Sequence, residues 1–254
     1  MAKPVLIANW KNYPSSFSEA KNLLGQLSRD RKFYKKLSLF IAPPLPYLES
    51  VALKSKGFAR LAIQDTTNLS GGTYTGVVTP DILKSFGVGL VILGHSEQRA
   101  LGETNEAVSQ KVITALRSGF TPLVCVGELS RDQEGRHFEF LREQLKSSLA
   151  GLNKKTQAAK LAIAYEPVWA IGKSAIEAIG PSDLSESTIF IKKVLSDMFG
   201  RSTADRIPIL YGGSVEPANA KTLFSKTGVK GYLVGHASLS AKNFKAIAIA
   251  LTSK

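Results

Sequence analysis

A glutamate followed at once by proline closes a short apolar run: "AYEPVWAIG" at 164–172 sets Glu166 between Tyr165 and Pro167. The run from Leu161 to Tyr165 has the length of a strand, and Pro167 ends ladder hydrogen bonding and biases Glu166 toward an extended backbone. The carboxylate is therefore predicted to stand at a strand tip. Other polar residues occupy the same kind of place. Asn9 and Lys11 follow one apolar run, Gln64 a second, His95 a third and Glu128 a fourth, while Ser214 and the pair Gly235 and His236 follow two more. Singly, each has a bland explanation as a surface carboxylate, a core histidine, a solvated lysine or a structural turn. Together, a carboxylate, an imidazole, an ammonium and glycine-containing turns are what acid–base chemistry and anion binding draw on.

The elements that must position them recur along the whole chain. "VLIANW", "LSLFIA", "RLAIQ", "VGLVILG", "TPLVCVG", "LAIAYE", "IPILYG" and "GYLVG" are eight strand candidates, separated by segments of helical period at 17–28, 105–117, 138–149, 185–199, 217–224 and 238–251. Alternation of strand and helix argues for a parallel sheet, and strands buried on both faces read as nearly continuous apolar runs. Eight such units in 254 residues predict an α/β fold, a (β/α)8 TIM barrel forming a single domain over 1–254. A doubly wound open sheet uses the same units but usually carries G-x-G-x-x-G after its first strand; here that strand runs into "NWKNYP". In a barrel, chemistry gathers at the C-terminal ends of the strands, which is where the polar residues fall.

Composition narrows the classes. Cys125 is the one cysteine, so no intramolecular disulfide forms, and in "PLVCV" it reads as a small hydrophobe. A formal charge of +13 favours anionic ligands and non-specific contact with nucleic acid, without identifying a site. The densest basic stretch, at 29–36, falls where a helix ends and a strand begins, and reads as a solvated, helix-terminating cluster. Aromatics are not interleaved with the basic residues as in an RNA-binding motif, so no specific nucleic-acid partner is expected. No eighteen-residue apolar span occurs and the start lacks a signal-peptide core, so the expectation is a cytoplasmic protein with no membrane partner. His95, His137 and His236 have no metal-ligand spacing, and no metal or cofactor is expected. "GKS" at 172–174 is not a P-loop, because that motif needs glycine where Pro167 stands.

"ANWK", "LGHSEQR", "VCVGE", "AYEPVWAIG", "YGGSV" and "GYLVGHASL" come in the order and spacing of the triosephosphate isomerases, which this chain resembles from Leu6 to its last helix. The resemblance implies interconversion of dihydroxyacetone phosphate and glyceraldehyde 3-phosphate through an enediolate, without metal or organic cofactor. A carbon acid beside a carbonyl is weak, so such a reaction needs a base and a group that holds charge developing on oxygen. The resemblance makes Glu166 the base, desolvated by Val168, Trp169 and Ile171, and His95 a neutral imidazole donating to the substrate oxygen at a helix start; the latter role is a worked example of pKa tuning in this enzyme family. It implies that Lys11 supplies a fixed positive charge, oriented by Glu97, and that Asn9 lies beside the substrate. Phosphate binding is implied for Gly172, Ser214 and the Gly235 and His236 turn.

Three departures from the family pattern carry expectations. His236 stands where the family usually has a second glycine, so a positive φ there would strain it and its imidazole could add pH-dependent charge beside the phosphate. Lys173 directly follows Gly172, which shortens and alters the lid that continues as "SAIEAIGPSDL"; less watertight closure and more phosphate elimination are expected. The long loop at 65–79 corresponds to one that enters a neighbouring subunit, with Thr75 matching the residue that reaches the partner's site, which implies a homodimer. Val77 and Gln98 replace both members of a carboxylate–guanidinium pair, so no buried charge is left alone and dimerisation would rest on apolar contacts.

Overall fold

The computed structural model describes residues 3–132, 134–152, 155–174 and 177–253. Eight parallel strands close on themselves: β1 (Val5–Asn9), β2 (Ser38–Ala42), β3 (Arg60–Ile63), β4 (Val88–Leu93), β5 (Thr121–Val126), β6 (Ala162–Tyr165), β7 (Ile209–Tyr211) and β8 (Gly231–Val234). They pair in chain order, and β8 returns to β1 with Leu6 opposite Tyr232 and Ile7 opposite Leu233. All eight apolar runs are thus strands, each one to three residues shorter than its run.

Successive side chains on a strand face opposite ways, and closure turns that alternation into two cores. Ile7, Leu90, Leu123, Leu210 and Leu233 fill the barrel. Leu6, Val91, Val124, Ile163 and Val234 point outward into the layer shared with the helices. Leu123 and Val124 are both fully buried, which is why the strands carry no polar face. Truncating an interior residue such as Leu123 to alanine costs about 2–5 kcal/mol, because neighbours on a closed sheet collapse poorly into the void.

The helices run against the strands, from the mouth to the opposite end. The helix predicted over 105–117 is Asn105–Arg117, capped by Thr104 accepting from the Ala107 N–H. Elsewhere local capping moves the boundaries. Gly180 and Pro181 start a helix at Pro181–Phe199, four residues earlier than the apolar period suggests, since proline suits the first helical position. The Asn219 side chain accepts from the Glu216 N–H at 2.9 Å, holding 216–219 as a turn and delaying the next helix to Ala220–Thr227. The last helix divides at Ser240, which ends a short turn at His236–Leu239 and caps Ala241–Thr252.

Candidate active site

Two residues beyond the last interior apolar side chain, each strand reaches the mouth still facing inward. Asn9 follows Ile7, Gln64 follows Ala62, Glu166 follows Ala164, Gly212 follows Leu210 and Gly235 follows Leu233. On β4 the inward place falls on Gly94, whose φ of 69° turns the chain and redirects His95 over the opening. Its peptide is gripped on both sides: the N–H donates to Glu103 Oε2 at 3.0 Å, and the carbonyl accepts from Arg99 Nε at 2.7 Å. A side chain there would meet the Arg99 guanidinium at 2.7 Å.

Asn9, Lys11, His95, Glu166, Gly172, Ser214, Gly235 and His236 line one cavity of about 190 Å³, below the roughly 300–1,000 Å³ typical of drug-sized ligands. Glu166 forms its floor and is only 2% exposed. One carboxylate oxygen, Oε2, accepts from the Ser96 N–H at 3.3 Å, while Oε1 is buried with no hydrogen-bond donor. A buried acceptor without a partner is costly, so such groups are rare and point to a ligand or a reaction. His95 Nε2 lies 3.4 Å from that same Oε1. On the other side of the ring, Nδ1 accepts the Glu97 N–H at 3.2 Å. Nδ1 must keep its lone pair to do so, which leaves the ring proton on Nε2, facing the cavity.

Lys11 is the one non-glycine residue with positive φ, 51°, among those described, a conformation that costs of order 1–3 kcal/mol and needs support. That support is on both sides of its peptide: Asn9 Oδ1 accepts the Lys11 N–H at 3.0 Å, and Gln64 Nε2 donates to the Lys11 carbonyl at 2.8 Å and to Ala42 O at 2.9 Å. Its ammonium is 2.5 Å from Glu97 Oε1. With Glu97 more than half exposed, that pair fixes direction more than it stabilises, since exposed ion pairs contribute about 0–1 kcal/mol.

Two strand-tip residues do not join the cavity. Gln64 serves the Lys11 turn instead. Glu128, 1% exposed, accepts from the Tyr165 hydroxyl at 2.8 Å, Trp169 Nε1 at 2.9 Å and Arg131 Nε at 3.0 Å, and so anchors the start of the loop after β6. Ser214 donates to Ala170 O at 3.0 Å, tying that loop to the turn after β7. Gly172, φ 74°, is exposed at the loop's outer part. Of the altered lid, Ala175 and Ile176 lie outside the described residues. His236 is exposed at the cavity edge without positive φ, so the strain expected there is absent.

Sequence reading overlooked Gly212 and the Ser96 amide, while Cys125 is the small buried hydrophobe expected of it. A Cβ on Gly212 would meet Glu166 Cγ at 2.8 Å, so the glycine makes room for the carboxylate arm; counting inward positions past Leu210 would have found it. Cys125 is fully buried inside the barrel, and its thiol is pushed well up, first by burial and then by the Glu166 carboxylate. The Ser96 contact joins residues 70 positions apart and has no local signal.

Comparison with known proteins gives one family. A family model described as triosephosphate isomerase matches residues 4–251. The chain is similar to the triosephosphate isomerase of Flavobacterium johnsoniae, 38% identical over 254 residues, covering 99% of this chain and 100% of the relative. It is 40% identical to that of Citrifermentans bemidjiense and 41% to that of Carboxydothermus hydrogenoformans, each over 251 residues, 97% of this chain and 98% of the relative.

Proposed function

The chain belongs to the triosephosphate isomerase family and interconverts dihydroxyacetone phosphate and glyceraldehyde 3-phosphate, a step of glycolysis and gluconeogenesis; within that reaction we propose the following division of labour. Glu166 is the base. It takes a proton from the hydroxyl-bearing carbon beside the carbonyl, the bonding pair moves to form the enediolate, the hydroxyl proton passes to the former carbonyl oxygen, and the same carboxyl returns its proton to the neighbouring carbon. The observation that carries this is the buried, undonated Oε1 on the cavity floor. His95 donates its Nε2 hydrogen to the oxygen on which charge develops, and Lys11 adds a fixed positive charge nearby. Asn9 holds the Lys11 turn and borders the substrate.

The phosphate lies at the other end of the cavity, against the backbone at Gly172, Ser214, Gly235 and His236, where small residues admit close approach of N–H donors. Lys173 also lines that end. A coupled assay with glyceraldehyde 3-phosphate on the parent and on Glu166→Gln tests the assignment. General-base loss lowers kcat on the order of a hundredfold or more; a drop under tenfold removes Glu166 from the role.

The working unit in this reading is a homodimer. The loop from Gly72 to Gly76, with Thr75, stands exposed on the single chain, as do Tyr13, Phe17, Leu45 and Ile82 from the first three barrel units. Apolar burial by these side chains replaces the ion pair that Val77 and Gln98 cannot make. No helix among the described residues is long and apolar enough to cross a membrane, and the cytoplasm is the compartment we assign.

A further inference from the structure

The chain's positive charge is concentrated at one end of the barrel. Each segment leading into a strand carries Lys or Arg, from Lys3 ahead of β1 and Lys35 ahead of β2 to Lys160, Arg206 and Lys230 ahead of β6, β7 and β8. Only three of the twenty acids fall on those segments, Asp30, Asp197 and Asp205, and Asp30 is held by Lys245 at 2.8 Å. Ion pairs among the described residues gather elsewhere, on Lys11, Lys111, Arg131 and Arg136, whereas none of the cations on the strand-leading segments lies within 4.0 Å of a carboxylate. Cations at helix C-termini are expected from the helix dipole, which accounts for Lys84 and Arg117. The same dipole covers Lys35 and Lys56, the C-cap residues of their helices, but not Arg60, on β3 itself, or Lys160 and Lys230, two and three residues past the last helical residue.

Because the eight strands form a closed ring, these cations form a ring as well, on a face about 35–40 Å across from strand spacing and helix diameter. A rod such as duplex nucleic acid touches a disk of that size along one strip. A plane touches it all round. At its edge Lys3, Lys35 and Arg60 share a depression with Phe58. The Arg60 guanidinium is fixed there over the Phe40 ring, 4.0 Å from its centre, and donates to Ser38 Oγ at 2.6 Å. Held in place and without a carboxylate, it suits a phosphate head-group.

We propose that the end of the barrel opposite the active site adsorbs to the surface of an anionic lipid bilayer. This needs no membrane-spanning helix, and it revises the expectation of no membrane partner drawn from the lack of an apolar span. The catalytic mouth then faces away from the lipid, so bound enzyme turns over as free enzyme does.

Co-sedimentation of the whole protein with vesicles tests the proposal, using phosphatidylcholine alone and phosphatidylcholine with phosphatidylglycerol, at low ionic strength and at about 0.5 M salt. The result expected is binding to the anionic vesicles only, lost at high salt. A Lys or Arg near such a surface contributes about fivefold in affinity, so Lys35→Glu, Lys160→Glu and Lys230→Glu together weaken binding by about a hundredfold or more. A second triple variant, Lys21→Glu, Lys221→Glu and Lys242→Glu, changes net charge equally at exposed positions near helix starts and keeps most of the binding. Isomerase turnover of both variants, equal to the parent, reports that they fold. Equal loss in both variants, no binding at low ionic strength, or tighter binding to a DNA duplex than to vesicles at the same salt each overturns the proposal.

Discussion

Replacing Gly212 with alanine adds one methyl group and should cost most of the activity while leaving the barrel intact. The added Cβ would stand 2.8 Å from Glu166 Cγ and 3.1 Å from Oε1, where ordinary contact begins near 3.4 Å. Backbone at this point is fixed by the Gly212 N–H donating to Tyr165 O at 2.8 Å, so the carboxylate arm must give way, by about 0.6–1 Å. A shift of about 1 Å in a catalytic group can lower the rate on the order of a hundredfold. Gly212 has no positive φ, so alanine strains nothing in the backbone and stability should change by less than about 1 kcal/mol. Steady-state kinetics and a thermal melt read the two effects apart: kcat falls tenfold to a hundredfold, KM changes little, and Tm stays within a few degrees of the parent. A kcat within twofold of the parent would mean that Glu166 does not work from this position. Lost activity with a collapsed Tm would refute the claim that the methyl group acts on the carboxylate and not on the fold.

His236→Gly should alter inhibition by sulfate, because His236 lines the phosphate end of the cavity with Lys11 and Lys173; an inhibition constant within about twofold of the parent would remove His236 from that end. Cys125, buried with its thiol held protonated by burial and then by Glu166, should resist alkylation at about pH 8 in the native protein and react on unfolding; rapid native labelling would contradict the packing described here.

Much of this molecule was legible before folding was considered. The number of strands followed from eight apolar runs, because a strand covered on both faces has no place for polar residues, and that is a local property of the chain. Their polar ends were equally legible, down to Asn9, Lys11, His95 and Glu166. Helix starts were less so, since Pro181 and the Asn219 turn act through backbone groups that an apolar period does not register. What sequence could not decide was which strand ends meet. Gln64 and Glu128 look in the sequence like Asn9 and Glu166, yet one braces the Lys11 turn and the other ties down Tyr165, Trp169 and Arg131. The difference is set by closure of the sheet, which fixes the stagger between strands far apart in the chain and so determines which inward-facing positions share the mouth. The same closure gathers cations scattered ahead of eight strands onto one face, and leaves Glu166 Oε1 buried at the mouth without a hydrogen-bond donor.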